Sequence, residues 1–199
     1  MPQLSNRVGT FTDSVIRRMT RISDAYGAIN LSQGFPDFDP PKEIMDALAK
    51  AAYQGPHQYS VTYGAPNFRQ ALAKKQGKTI NREIDPEKEI VVTCGGTEAM
   101  MCAMMTICNP GDKVMVFSPF YENYGADAIL SGADPIYIPL IPPEYEFDIN
   151  LIEQGFRDGA KAIIICNPSN PCGKVFREDE LQEIVNFLCC LDHIFWSDQ

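Results

Sequence analysis

The sequence predicts an α/β protein, with a mostly parallel sheet flanked by helices. From about residue 85 onward, short apolar runs alternate with segments of helical spacing, a pattern typical of repeated strand–helix units. Runs such as residues 161–166 are apolar along most of their length, as expected of strands buried on both faces. Turns rich in glycine or proline follow several runs. Because ligands bind at the carboxyl ends of strands in open α/β sheets, these turns are the candidate functional regions.

Composition excludes several function classes. The chain has 199 residues, of which 45% are hydrophobic and 22% charged, enough for one domain with a substantial core. Its formal net charge of −9 argues against nucleic acid or an acidic membrane surface as a partner. No apolar run approaches the roughly eighteen residues of a membrane span, and residues 1–7 lack the apolar core of a signal peptide. We therefore expect a cytoplasmic protein.

The cysteine pattern also indicates a cytoplasmic protein. The seven cysteines form no Cys-x-x-Cys pair, and the chain has only two histidines. This composition disfavours a zinc site and indicates free thiols in a reducing compartment. We expect no metal.

The N-terminal part reads as helices joined by turns. Helical spacing of apolar residues predicts amphipathic helices over residues 12–22, 41–53 and 67–78. A rigid turn begins at Gly34 and includes Pro36, and a polar loop over residues 54–64 contains Tyr59 and Tyr63. We predict an N-terminal arm and helix over residues 1–40, followed by a larger domain over residues 41–199.

The first candidate ligand site follows residue 89. A predicted strand over residues 89–94 runs into Gly95 and Gly96, and a predicted helix begins at Thr97. Glycines let the backbone approach an anion, and N–H groups of a first helical turn point at it. The pattern fits neither of the glycine-rich motifs that bind mononucleotides or dinucleotides. An ordinary strand-to-helix turn is the alternative explanation.

Further strands are predicted over residues 113–118, 135–140, 161–166 and 193–198, with helices over residues 126–131, 151–155 and 178–190. Residues 119–124, Pro-Phe-Tyr-Glu-Asn-Tyr, follow the first of these strands. Residues 167–173, Asn-Pro-Ser-Asn-Pro-Cys-Gly, follow the third. Each proline keeps its predecessor out of the α region, so the second turn is a stiff loop. By itself, this sequence could equally be an ordinary loop that contains two prolines.

These motifs together resemble those of the pyridoxal-phosphate aminotransferases of fold type I, the aspartate aminotransferase superfamily. The Asn-Pro-x-Asn-Pro-x-Gly loop and residues 34–38, Gly-Phe-Pro-Asp-Phe, are most similar to the branch of kynurenine, methionine and aspartate aminotransferases. The resemblance implies the large domain of that fold and pyridoxal 5′-phosphate as cofactor. It also implies a homodimer for the full-length enzyme.

The resemblance implies three contacts to the cofactor ring. The residue matching Asn170 hydrogen-bonds the ring hydroxyl oxygen, and the one matching Tyr121 stacks on the ring. The family's Asp-Glu-x-Tyr run matches Asp198, whose carboxylate would pair with the pyridine nitrogen. The sequence departs from the pattern at Gln199, which replaces the Glu.

It also implies the contacts at the phosphate. A family Gly-x-Thr cradle matches Gly95, Gly96 and Thr97. The residue matching Tyr59 reaches the phosphate of the neighbouring subunit, although Tyr63 in the same loop is a competing match. The glycine of the Gly-Phe-Pro-Asp-Phe turn, Gly34, would approach the substrate carboxylate.

The resemblance covers about the first half of a family member. We therefore expect a truncated N-terminal half that lacks the small domain and is inactive alone, since no lysine here stands in the family's Ser-x-x-Lys setting. The catalytic, Schiff-base lysine would lie beyond residue 199. The full enzyme would move an amino group from an amino acid to a 2-oxo acid. Three alternatives stay open: a carbon–sulfur β-lyase of the same fold, a non-catalytic aminotransferase-like module, and a remnant without a stable fold.

Overall fold

A computed structural model describes residues 3–9, 14–34, 36–55, 57–190 and 194–198, without the side chains of residues 8, 188–190 and 194–198. The chain divides into two compact units. One comprises Met1–Thr12 with Cys94–Gln199, and the other Asp13–Thr93. Each unit is described by itself. The domain boundary expected at residue 40 stays a prediction.

The elements follow in chain order. After a 3₁₀ turn at Asn6–Gly9 come α1 (Val15–Tyr26), α2 (Lys42–Gln54), α3 (Pro66–Thr79), α4 (Gly95–Ile107), β1 (Lys113–Ser118), α5 (Asn123–Ser131), β2 (Asp134–Pro139), α6 (Ile149–Arg157), β3 (Ala160–Cys166), α7 (Glu178–Cys190) and β4 (Ile194–Asp198). The predicted start of the last strand, His193, lies outside the described residues.

The four strands form one parallel sheet in the order β2-β1-β3-β4. Strand β1 pairs with β2 from Lys113 opposite Asp134, and β3 pairs with β4 through Cys166 opposite Asp198. Parallel neighbours require crossover connections, and α5, α6 and α7 lie in these connections. The predicted α/β class with a parallel sheet is confirmed.

Helices cover both faces of this sheet. Successive side chains of a strand point to opposite faces. On β1, Val114 and Val116 pack in a core cluster with Met104 of α4 and Ala128 of α5. The alternate β1 residues, Met115 and Phe117, belong to a second cluster with side chains from α6, β3 and α7: Ile152, Phe156, Ile163, Ile165 and Ile184. Strands β1 and β3 are therefore buried on both sides, which explains their continuous apolar runs, whereas β2 is more exposed.

Close packing of α6 on β1 depends on a glycine. A Cβ built on Gly155 would lie 2.2 Å from the Met115 sulfur. The absence of a side chain therefore allows the helix to approach the strand at this point.

The other unit is held at one point by a buried arginine. Arg69 of α3 is 1% exposed. Its Nε donates to the Gly64 carbonyl at 3.1 Å, and its Nη1 donates to the Pro86 carbonyl. Its Nη2 donates to Glu87 at 3.1 Å. Because the guanidinium has donors in a fixed fork, it fixes the loop before α3 to the segment that follows it.

Two predictions around residue 90 are wrong. Residues 89–94 form no strand among the described residues; Val92 donates one backbone hydrogen bond, to Tyr63, at 3.0 Å. An extended apolar segment becomes a strand only when a neighbour completes its ladder. In addition, α4 begins at Gly95 rather than Thr97, so both glycines belong to the first helical turn.

Among the described residues, no helix has both the length and the apolar character that crossing a bilayer requires.

Candidate cofactor site

All four described strands end at the same edge of the sheet. Because β1, β3 and β4 are parallel, the loops that follow β1 and β3 leave from neighbouring positions. A small pocket, with room for about one water molecule, lies between these loops, lined by Val116, Phe117, Pro119, Phe120, Tyr124, Ile164, Cys166, Ser169, Asn170 and Phe176. The structure thus brings the loop of Asn170 against the segment that carries Tyr121, as the position of these motifs after the strands predicts.

The first loop presents an aromatic side chain beside this pocket. Tyr121 is half-buried and meets the pocket-lining Tyr124 edge-on, with ring centroids 5.8 Å apart and planes at 74°. Its neighbour Phe120 stacks on Tyr137 at 5.0 Å with an interplanar angle of 3°. Phe120 and Tyr121 are both half-buried, and Tyr137 occupies one face of the Phe120 ring. The assignment of Tyr121 as the ring-stacking residue stays a prediction.

The second loop is closed by its own backbone. The N–H of Gly173 donates to the Ser169 carbonyl at 2.7 Å, and the N–H of Ser169 donates to the Lys174 carbonyl at 2.8 Å. The Asn167 side-chain oxygen accepts from the N–H of Phe176 at 3.0 Å. Asn170 itself is exposed at the tip. Two asparagines of one motif therefore differ: Asn167 fastens the loop, and Asn170 faces outward.

The start of α4 is open to a ligand. A Cβ built on Gly95 or Gly96 would meet nothing within 4 Å, and Gly95 has φ +80°, a value that favours glycine. Thr97 is exposed in the same turn. The carboxylate of Glu98 turns back to accept from the Cys94 N–H. An open helix start with a hydroxyl is the donor set that a phosphate group needs, so these residues fit a phosphorylated cofactor.

A hydrogen bond that the sequence did not predict connects this helix start to α5. The Asn123 Nδ2 donates to the Thr97 Oγ1 at 2.8 Å. A hydroxyl that accepts from an amide keeps its own proton for another acceptor. Asn123 therefore orients Thr97 as a donor. The signal available in the sequence was only its position, two residues after Tyr121.

A buried acid lies one turn further along α5. Asp127 is 4% exposed, and among the described residues its Oδ2 has no hydrogen-bond partner. Burial raises the pKa of this carboxyl to about 6, because removal from water disfavours the charged form. The sequence analysis did not identify Asp127.

The structure describes the other predicted site residues only in part. The backbone of Asp198 ends β4 opposite Cys166, but its side chain is not among those described. Phe35 of the Gly-Phe-Pro-Asp-Phe turn and Gln199 also lie outside the described residues. Gly34 and Tyr59 belong to the other unit, where Tyr59 is 99% exposed. Their roles stay predictions.

Metal ligands are not grouped in the described part of the chain. Within it, no cluster of three or more histidine, cysteine, aspartate or glutamate side chains is placed to hold a metal ion. The cysteines that are described there, Cys94, Cys102, Cys108, Cys166 and Cys172, are free thiols.

Comparison with known proteins identifies relatives over almost the whole chain. The family described as aminotransferase class I and II matches residues 26–197. Kynurenine–oxoglutarate transaminase 3 of Rattus norvegicus is 33% identical, over 98% of this chain and 45% of that protein. Methionine aminotransferase of Escherichia coli (strain K12) is 32% identical, over 89% of this chain and 44% of that protein.

Solved structures agree. A crystal structure of an Escherichia coli protein with a methionine aminotransferase function has a TM-score of 0.92 at 29% identity, and covers 100% of this chain and 52% of that one. Aspartate aminotransferase of Thermus thermophilus with maleate has a TM-score of 0.89 at 27% identity, covering 100% and 53%. The chain therefore spans about half the length of the relatives it matches.

Proposed function

The chain belongs to the class I and II aminotransferase family, as its motifs predicted, and we propose that it is the cofactor-binding half of an enzyme that transfers an amino group from an amino acid to a 2-oxo acid. Members of this family are pyridoxal-phosphate enzymes. The observation that carries the proposal is the open start of α4 in the same unit as the loops after β1 and β3, which lie against each other.

The phosphate would be held at the start of α4. Gly96 and Thr97 offer backbone N–H groups of a first helical turn, and a helix N-terminus attracts a dianion. Gly95 leaves room for the approach, since a Cβ there would meet no atom within 4 Å apart from neighbouring residues of its own turn. Asn123 keeps the Thr97 hydroxyl oriented toward the anion.

The ring would lie between the two loops. Tyr121 would stack on one face and fix its plane, and the exposed Asn170 amide would donate to the ring hydroxyl oxygen. The Asp198 carboxylate, at the end of β4, would hold a proton on the pyridine nitrogen. Bound there, the cofactor supplies a ring that accepts electrons from the substrate α-carbon. These residues therefore bind and orient the ring, and they determine its protonation.

The proposals about the substrates and about a second subunit rest on the resemblance to the family. Gly34 would approach the substrate carboxylate, and Tyr59 would reach the phosphate of a partner subunit in a homodimer. The 99% exposure of Tyr59 is consistent with a contact outside its own chain. Sedimentation of the complete protein tests this, because a monomer at micromolar concentration would contradict it. Relatives named for kynurenine, methionine and aspartate support the amino acid as a class.

The location and the activity of the 199 residues alone are further parts of the proposal. Free thiols in the described chain suit the reducing cytoplasm, and recovery of the protein from a membrane or secreted fraction would contradict that location. With no lysine in a Ser-x-x-Lys setting, these residues alone should bind the cofactor without transferring amino groups. Measurable transamination by the purified 199-residue chain would refute this.

Cofactor binding is tested with pyridoxine 5′-phosphate, which keeps the ring, hydroxyl and phosphate but lacks the aldehyde that reacts with surface lysines. Calorimetric titration of the 199-residue chain should give one site, with much weaker binding of unphosphorylated pyridoxine. Thr97→Val should weaken binding about tenfold, the value of one hydrogen bond to a charged group. Thr106→Val is the matched control on the same helix, since the Thr106 hydroxyl donates to the Cys102 carbonyl. The absence of saturable binding by the unaltered chain would refute the cofactor assignment.

Amino transfer is tested on the protein made from the complete reading frame. Sequencing the source DNA past codon 199 should reveal a lysine in a Ser-x-x-Lys setting. The complete protein should then convert a 2-oxo acid to its amino acid in the presence of an amino donor. Release of pyruvate from cystathionine without any 2-oxo acid would instead indicate a carbon–sulfur lyase.

A further inference from the structure

A buried ion pair lies directly behind the loop that carries Asn170. The Lys174 Nζ lies 2.9 Å from the Glu180 Oε1, and the two side chains are only 4% and 9% exposed. Removing two charges from water costs several kcal/mol per ion, and apolar replacements of such pairs are often as stable. Net stability therefore does not by itself account for the pair.

The lysine belongs to the loop through both its backbone and its side chain. Its carbonyl accepts from the N–H of Ser169 at 2.8 Å, and this bond closes the turn that contains Asn170. Its ammonium lies 5.1 Å from the ring centroid of Phe176 and 5.8 Å from that of Phe147. A cation over aromatic faces is attracted to them, so Lys174 is held in one position between the loop and the core.

The glutamate belongs to the helix that follows. While its Oε1 binds Lys174, its Oε2 accepts from the N–H of Arg177 at 2.8 Å, just before α7 begins. Burial alone raises the pKa of Glu180, but the Arg177 N–H and the Lys174 ammonium lower it more, so that the net pKa is lowered. Glu180 is therefore a charged group that joins the loop to the first turn of α7.

We propose that the Lys174–Glu180 pair positions the Asn170 loop for the cofactor ring. The loop begins at β3 with Asn167 bonded to Phe176 and ends at Lys174, which is bonded to α7 through Glu180. With both ends fixed, the exposed Asn170 amide is presented at one position beside the pocket. This inference rests on the proposed function. Lys174 and Glu180 are positioning residues, and Asn170 makes the contact.

Two ligands separate the loop from the phosphate cradle. Inorganic phosphate probes only the start of α4, whereas pyridoxine 5′-phosphate probes the ring contacts as well. In the 199-residue chain, Lys174→Met should weaken pyridoxine 5′-phosphate binding about tenfold, as expected for one misplaced hydrogen bond, and leave phosphate binding within about twofold. Lys161→Met is the matched control, because it breaks another ion pair, Lys161 with Asp112 at 3.0 Å, near the other end of β3.

A double-mutant cycle distinguishes positioning from a general effect on folding. If the pair acts through Asn170, Lys174→Met should cost nothing further in an Asn170→Ala background. Should Lys174→Met fail to unfold cooperatively because it leaves a buried charge, the Lys174→Met/Glu180→Leu double variant removes both charges. That double variant should also bind pyridoxine 5′-phosphate about tenfold more weakly.

Each result gives a decision. Unchanged binding of pyridoxine 5′-phosphate by the variants, equal losses for both ligands, or losses additive with Asn170→Ala would overturn the positioning role while leaving cofactor binding intact. Failure of the unaltered chain to bind pyridoxine 5′-phosphate would instead refute the proposed function, and this inference with it.

Discussion

Replacing Asp127 by asparagine should remove one pH-dependent contribution to the unfolding free energy of the protein. The side chain is 4% exposed, and among the described residues its Oδ2 accepts no hydrogen bond. Burial raises its pKa from 3.8 to about 6. The folded state therefore binds the proton more tightly than the unfolded state. Stability from this group is fully present below pH 4 and is lost as the pH rises to about 6.

The size of the effect follows from the shift. Two pKa units at 1.36 kcal/mol each correspond to about 3 kcal/mol of unfolding free energy, or about 6–12 °C in melting temperature for a chain of this length. Asparagine has nearly the same shape but does not ionise. A buried amide without partners also costs about 1–3 kcal/mol, but equally at every pH. The free-energy difference between Asp127→Asn and the unaltered chain should therefore move by about 3 kcal/mol in favour of asparagine between pH 4 and pH 8.

Urea unfolding at pH 4, 5, 6, 7 and 8 measures this difference. Several other carboxyls have lowered pKa values and act in the opposite direction as the pH falls: Glu89, Asp112, Asp179 and Glu180. Their contribution cancels in the comparison because both proteins contain them. Asp134→Asn, at the exposed start of β2, is the matched control for the loss of a carboxyl that is not buried. A free-energy difference for Asp127→Asn that stays constant with pH, or that Asp134→Asn reproduces, would refute the argument.

Three further outcomes are expected. Asn123→Asp puts a charged acceptor where an amide now donates to Thr97; calorimetry should show pyridoxine 5′-phosphate binding weakened about tenfold or more and pyridoxine binding unchanged. Gly155→Ala brings a methyl group to 2.2 Å from the Met115 sulfur, and urea unfolding should show a loss of about 1–3 kcal/mol. Arg69→Met leaves two backbone carbonyls without their donor and should lower the unfolding free energy by about 2–4 kcal/mol. Hydrogen exchange over residues 61–92 should become faster. Unchanged exchange would contradict the role of Arg69 in joining these segments.

The central strands were predictable because burial on both faces determines their composition. The predicted bounds of β1 match the structure, and β3 begins one residue earlier than predicted. The segment over residues 89–94 has a similar composition but no strand. The central strands and residues 89–94 have the same local pattern of apolar residues. They differ in whether a neighbouring strand completes the hydrogen-bond ladder, and a local pattern does not contain that information. Local composition therefore predicts the tendency, whereas pairing decides the element.

The sequence likewise indicates some residues of the candidate site and not others. The cradle at α4 and the loops of Tyr121 and Asn170 could be proposed from the sequence because each is a short contiguous motif at the end of an apolar run. The polar side chains that support them, Asn123, Asp127, Lys174 and Glu180, were not found. A polar residue in a helix or loop reads as solvent-exposed in the sequence, and only the tertiary contacts show that Asp127 and the Lys174–Glu180 pair are buried.

Sheet order explains how the residues proposed for the ring come together in one unit. Strands β1 and β3 are neighbours although α5, β2 and α6 separate them in the chain, so the two loops meet at one edge. Helix α4 is connected to the same region by the Asn123–Thr97 bond. Every described group proposed for the phosphate and ring, other than Tyr59, lies in one unit. Affinity for the cofactor should therefore be a property of that unit, so substitution of Tyr59 should leave binding to the isolated chain unchanged and affect only a dimer.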